Sequence, residues 1–521
     1  MRRAIVGLAV LGLLVSSVPS VRAFCGFYVS GADSGLVNKA TMVVMMREGS
    51  RTVLSMQNNY EGPPENFAMV IPVPVVLQED NVKVLEPAIF ERVDHLAAPR
   101  LVEYWEQDPC WQPPPPEEPM MDLEMAEAAP SAMEAGAADL GVTIEAQFTV
   151  GEYEIVILSA RDSSGLDTWL RGNDYSIPEG AEPVLRPYVE ADMKFFVAKV
   201  DVEKVRFEDG RAMLSPLRFH YDSEQFSLPV RLGLLNSSGT QDLIVHILAP
   251  EQRYELANYN NVTIPTNIDV ADEVRTRFGE FYAALFDETM ARNQRAIVTE
   301  YAWQATNCDP CPGPVLSASD ITTLGADVLP SFENADMNDW SVQSRMNGFV
   351  LTRLHTRYDR DALDEDLVFR QAAPIVGGRE FHSGPNGELE HGASESHVNN
   401  FQGRYAIRHE WTGPIECDNP VRGRWGGPPS NTRAQETRPA TDLAYAPRGN
   451  LRLPEMVRSA VPELELAAAV TPTPAAAQTP TSSSTPTAER SGGCAGCSVG
   501  SPAGAGLAVL LVLGFAIRRR R

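Results

Sequence analysis

VTIEAQFTVGEYEIVILSA (residues 142–160), followed after an interval by PVLRPYVEADMKFFVAKV (183–200), decides the fold class. The first segment holds two runs rich in β-branched and aromatic residues, 142–150 and 153–160, joined at Gly151-Glu152, which reads as a turn between strands. A short helix carrying Trp169 is expected at 165–171. After a connection through Pro178 and Pro183, 184–193 reads as a helix and 195–202 as a strand. Strand, helix and strand at this spacing predict an α+β fold, with helices covering one face of a sheet.

Moving toward the N-terminus, 41–46 and 51–57 flank Gly49-Ser50 and read as a hairpin. The run 67–76 is a third strand, expected to be an edge or to break at Pro72, because proline cannot donate to the ladder. Residues 88–107 follow Pro87 with a partial helical stripe that Pro99 should kink or divide. Moving toward the C-terminus, 217–221, 228–235 and 243–248 read as strands, and 273–292 as the best long helix. Its aromatic face, Phe278, Phe281, Tyr282, Leu285 and Phe286, is the composition of a core-facing stripe. In GFVLTRLHTRY (348–358), Val350, Thr352, Leu354 and Thr356 alternate with Leu351, Arg353, His355 and Arg357, as in a half-buried strand with one basic side. Asp359, Asp361, Asp364, Glu365 and Asp366 follow directly.

The expectation is therefore an antiparallel-sheet-rich body with packed helices, divided as 24–110 and 141–371 around an acidic low-complexity insertion at 111–140. The insertion opens with a run of prolines and has no basic residue, the composition of a disordered segment rather than of a preformed calcium loop. A Gly/His-rich irregular region is expected at 372–430, with a strand at 405–411. A Pro/Thr/Ser-rich spacer is expected at 431–493. The formal net charge is -25, from 69 acidic and 44 basic residues, which argues against a nucleic-acid partner.

Both ends carry export signals. Arg2 and Arg3, an apolar run from Ala4, and Val21-Arg22-Ala23 read as a signal peptide spanning 1–23, cut by signal peptidase. The tail CAGCSVGSPAGAGLAVLLVLGFAIRRRR (494–521) places an uncharged stretch long enough to cross the ~30 Å hydrocarbon layer before four arginines. A cysteine motif, a short span and a terminal arginine cluster resemble the MYXO-CTERM sorting signal of myxobacterial surface proteins. That resemblance implies removal of the hydrophobic sorting helix by a myxosortase-like intramembrane protease, and a lipid carried on Cys497 or, alternatively, Cys494. The product would sit at the cell surface or outer membrane, lipid-anchored.

A second resemblance covers most of the body. FCGFYVS at 24–30, AMVIPVP at 68–74, PVLRPYVEADMKFFVAKV from Pro183, LPVRLG from Leu228, and LTRLHTRYDRDALDEDLVF from Leu351 are together similar to the bacterial family called domain of unknown function 2330. The resemblance implies exported bacterial proteins and supplies no mechanism.

Chemistry is sparsely signalled. Cys308-Asp309-Pro310-Cys311 has the spacing of a redox pair, half a metal site, or a disulfide. Prolines at 312 and 314 and the lack of a second close pair favour the disulfide. Cys25, Cys110 and Cys417 are further disulfide candidates, and elimination suggests Cys25 with Cys110. His382, His391, His397 and His409 lack the spacing of a ligand set and read as surface residues, so no metal or other cofactor is expected. His355, with Arg353 and Arg357 on its strand face and Asp359 just beyond, is the candidate site. Two functions stay open: a surface-displayed binding or structural module of the envelope, with an envelope partner, and an exported hydrolase. The second requires His355 in a cleft with carboxylates drawn from Asp359 to Asp366.

Overall fold

A computed structural model describes residues 27–29, 40–57, 68–110, 142–236 and 240–467, except 174, 176, 178–179, 209–210, 337–338, 360–362, 380–389, 429–436 and 442–445. The chain divides into two units, 1–471 and 472–521, and every described residue belongs to the first. The signal segment, the 111–140 insertion, the run from 468 and the tail lie outside the described residues, as do Cys25, His382, Cys494 and Cys497.

Val142–Val150 and Tyr153–Ala160 pair antiparallel, and Lys194–Val200 joins them, as their alternation requires. Ala68–Val73 and Phe27–Val29 complete a five-stranded sheet. Ala68–Val73 is not an edge. Phe27–Val29 opposes only Ala68 to Val70, so the strand carries no described ladder partner on that flank at Pro72. The strand period of two splits each strand between two cores. Phe195 and Val197 face the helices α2 (Ser163–Gly172) and α3 (Ala181–Glu190), whereas Phe196 and Ala198 face a second sheet.

That second sheet is larger and mixed. The Ala40–Glu48 and Arg51–Gln57 hairpin lies in it, next to Leu217–Asp222 on one side. On the other side come Gln241–Pro250, Phe349–Tyr358 and Ala296–Gln304 in spatial order. Its inner residues Val43, Leu54, Phe219 and Val245 close against the five-stranded sheet. Its outer face is covered by α1 (Ala88–Ala97), α4 (Phe278–Arg292), α5 (Ala318–Leu324) and α6 (Trp340–Met346). The described body is thus layered helix, sheet, sheet, helix. Each sheet has one face under helices, and burying the apolar side of every strand accounts for the stacking.

Several expectations need correction. Residues 88–107 are not one divided helix: α1 stops at Ala97, and Arg100–Glu106 is a strand beyond Pro99. Proline disfavours a helical residue before it, and the partner strand, Arg404–His409, comes from some three hundred residues away. Only Leu228 of the 228–235 run pairs, as the end of the short strand Ser227–Leu228, and Arg231–Asn236 is a 3-10 turn. The 273–292 run is a 3-10 turn, Asp272–Thr276, followed by α4, with its aromatic face in the core. The region 372–430 is not merely irregular: Ile375–Gly377 and Asn400–Gln402 extend the large sheet beyond Ala296–Gln304. Nor does the folded chain end at 430. Leu453, Val457, Val461 and Leu464 are buried with Phe281, Phe286 and Tyr405 in the core above α4.

Candidate functional site

The Phe349–Tyr358 strand lies between Gln241–Pro250 and Ala296–Gln304, antiparallel to both. Its alternation sends Leu354 and Tyr358 toward the inter-sheet core, and Phe349 and Leu351 toward the helices. Arg353, His355 and Arg357 therefore point under α1 and α4. The sequence pattern reads as half-buried, yet both faces are covered: Arg353 is 0% and His355 1% exposed. A row of cations goes beneath a helix layer only when carboxylates meet it. Here they come from four other elements.

Glu300 is the centre of the arrangement and is itself fully buried. Opposite the central strand, Thr299 pairs with Leu354 and Tyr301 with Arg353, so Glu300 is the extra residue of a β-bulge. Such an insertion re-aims a side chain. Glu300 Oε1 accepts from His355 Nδ1 at 2.7 Å, and also from the Tyr282 hydroxyl of α4; Oε2 accepts from Arg353 Nε. His355 Nε2 donates to Asp242 Oδ1 at 3.2 Å. Phe286 stacks on the imidazole with centroids 3.9 Å apart. Arg353 Nη1 reaches Asp94 of α1. Arg357 and Arg448 both bond Asp287 of α4, and Arg448 Nη2 also reaches Asp242 at 3.2 Å.

Four cations, Arg353, His355, Arg357 and Arg448, thus meet four carboxylates, Asp94, Asp242, Asp287 and Glu300. Burial alone would lower the His355 pKa. The Glu300 and Asp242 carboxylates outweigh it and raise the value above 6.5, so the ring is held as an imidazolium donating from both nitrogens. Burial likewise opposes ionisation of Glu300, but His355 and Arg353 hold its carboxyl down at about 2. His246, on the same sheet face with Nε2 3.5 Å from Arg353 Nη1, is driven well down by burial and then by that charge, and is neutral. Chemically this is a closed ion network. Its histidine has no free nitrogen with which to take a proton from a substrate.

The described carboxylates Asp364, Glu365 and Asp366 of the acidic run after the strand bond elsewhere. Asp366 serves Arg231 at 2.9 Å and the Tyr188 hydroxyl at 2.7 Å, Asp364 serves Arg295, and Asp359 is not a partner of His355. Proximity in sequence suggested a site that topology distributes elsewhere. Glu300, Asp94, Tyr282 and Arg448 were invisible as members, since each lies on a different element. The run AIVTEYAWQ at 296–304, with one charge among apolar and β-branched residues, was the available signal.

Two disulfides are formed among the described residues. Cys308 bonds Cys311, and Cys110 bonds Cys417 rather than Cys25. The parallel register of Arg100–Glu106 with Arg404–His409 explains the second, because both chains leave the sheet at the same end, each heading for its cysteine. His391 and His397 are exposed. His409 is half-buried, bonds Glu103 at 2.9 Å and stacks on Trp105, so it is more than a free surface residue. No group of three or more His, Cys, Asp or Glu is placed to hold a metal among the described residues. Two open cavities, of about 480 and 540 Å³, do not have His355 among their lining residues.

A family model described as "uncharacterized protein conserved in bacteria (DUF2330)" matches residues 19–370. The chain belongs to this family. Arg353 to Asp366 fall inside the family region, whereas Arg448 and the strands from 375 onward lie beyond it. No curated protein and no solved structure matches the chain.

Proposed function

We propose that the chain is an exported protein displayed at the cell surface, lipid-anchored after loss of both ends, and that its body is a binding or structural module of the envelope. The alternative, an exported hydrolase working through His355, needs a histidine that substrate can touch. The observation that supports the module is the His355 environment: 1% exposure, Phe286 on its face, and a buried carboxylate on each ring nitrogen. The display part rests on the sequence patterns at 1–23 and 494–521 and on the acidic, spacer-bearing composition. Signal peptidase and a myxosortase-like protease are the processing partners this reading requires.

The test is intact-mass analysis of protein extracted with detergent from the cell surface fraction, beside treatment of intact cells with a membrane-impermeant protease. The expected species starts at Phe24 and ends in a lipid-bearing Cys497 or Cys494. Recovery of Arg518 to Arg521 in surface material refutes the processing, and protection of the body from protease on intact cells refutes display.

A further inference from the structure

The 480 Å³ cavity lies where the strand Arg253–Leu256 meets the last turn of α4. Tyr254 and Leu256 alternate into the inter-sheet core, which turns Arg253 and Glu255 toward the cavity. Arg253 is 7% exposed, and its charge is poorly met. Nε donates to the Ala373 carbonyl, Nη2 reaches Glu255 only at 3.4 Å, and Nη1 has no acceptor among the described residues. Glu255 is engaged more closely by Arg370, at 2.8 and 3.1 Å. A buried guanidinium with a spare edge on a cavity is a ready partner for a carboxylate. Burial, which the Glu255 charge does not fully offset, lowers its pKa.

Other lining residues have the reverse character. Thr289 and Asn293 belong to the C-terminal turn of α4, where the helix dipole is negative, and Glu463 adds an exposed carboxylate. Thr263 and Thr299, paired across adjacent strands, add hydroxyls to the lining. With a guanidinium, two carboxylates, hydroxyls and a helix C-terminus on its lining, the cavity has a volume in the range of small-molecule sites.

We infer that this cavity binds a small zwitterion, an amino acid or short peptide, with its carboxylate on Arg253 and its ammonium group toward Glu463. The inference rests on the binding-module reading and names its ligand class. Part of the lining, Ile375, Ala393, Glu463 and Leu464, lies beyond the family region, whereas Arg253 lies within it.

Isothermal titration of the full chain in detergent tests it, with alanine and trialanine as probes. At least one should saturate, and its C-terminal amide should bind at least about tenfold more weakly, the effect of losing one charge-assisted pair. Arg253→Met should cause a similar loss, whereas Arg92→Ala, a distant charge removal, should not. If Arg253→Met fails to fold, the acid and amide compared on the unaltered chain decide the matter. Equal binding of acid and amide, or no saturation by either probe, overturns the inference. Neither result touches display, which surface proteolysis reads separately.

Discussion

Replacing Glu300 by glutamine removes one negative charge at the point where Arg353 and His355 converge, and changes little volume. The network then has four cations against three carboxylates, and the new amide presents N–H donors to groups that are themselves donors. Breaking a buried ion pair from one side costs about 3–5 kcal/mol, because the remaining charge stays buried. The cost should depend on pH. His355 has a raised folded pKa, so its stabilisation is fully present below 6.5 and is lost as pH rises through the folded value. Without Glu300 the largest cause of that raise is gone, and His355 should fold neutral. Urea unfolding at a series of pH values should therefore show the gap between Glu300→Gln and the unaltered chain widest near pH 5.5. The gap should narrow toward alkaline pH while staying above zero, since the Arg353 pair is lost throughout. A gap under about 1 kcal/mol, or one that does not vary with pH, refutes the reasoning that Glu300 is the counter-charge of both cations.

Five further outcomes follow from the geometry. On the acid side, Glu300 has a depressed folded pKa, so its contribution is present above 4.5 and fades as pH falls toward about 2; acid unfolding should track that range in circular dichroism. Peptide mapping without reductant should recover Cys110 joined to Cys417, and serine at both positions should lower stability by about 2–4 kcal/mol. The same change at Cys308 and Cys311 should cost less, because that bond closes a far shorter loop in the unfolded chain. Gly378→Ala should lower the free energy of unfolding by more than about 1 kcal/mol, read by urea denaturation, since φ is +69° and a Cβ would stand 2.0 Å from the Gln402 carbonyl oxygen. A chain ended at 371 should be insoluble or bind a hydrophobic dye, because α4 would lose Phe401, Tyr405, Val457 and Leu464 from its core.

By itself the sequence determined the class of fold, the hairpin at 40–57, the alternation of 349–358 and the aromatic core face of α4. All of these are local periodicities, set by side-chain direction along one strand or helix. It also marked the Cys308 and Cys311 bond, whose partners are three residues apart. The tertiary structure alone decided what required distant elements to meet. Arg100–Glu106 is a strand because Arg404–His409 lies beside it, and the same pairing joins Cys110 to Cys417. His355 looked available for catalysis because its own strand supplies only cations. Its counter-charges come from Asp242, from Glu300 on a bulge, and through the wider network from α1, α4 and Arg448. An ion pair carries no periodicity and no fixed spacing in sequence, so only the packed chain shows which carboxylate reaches which base.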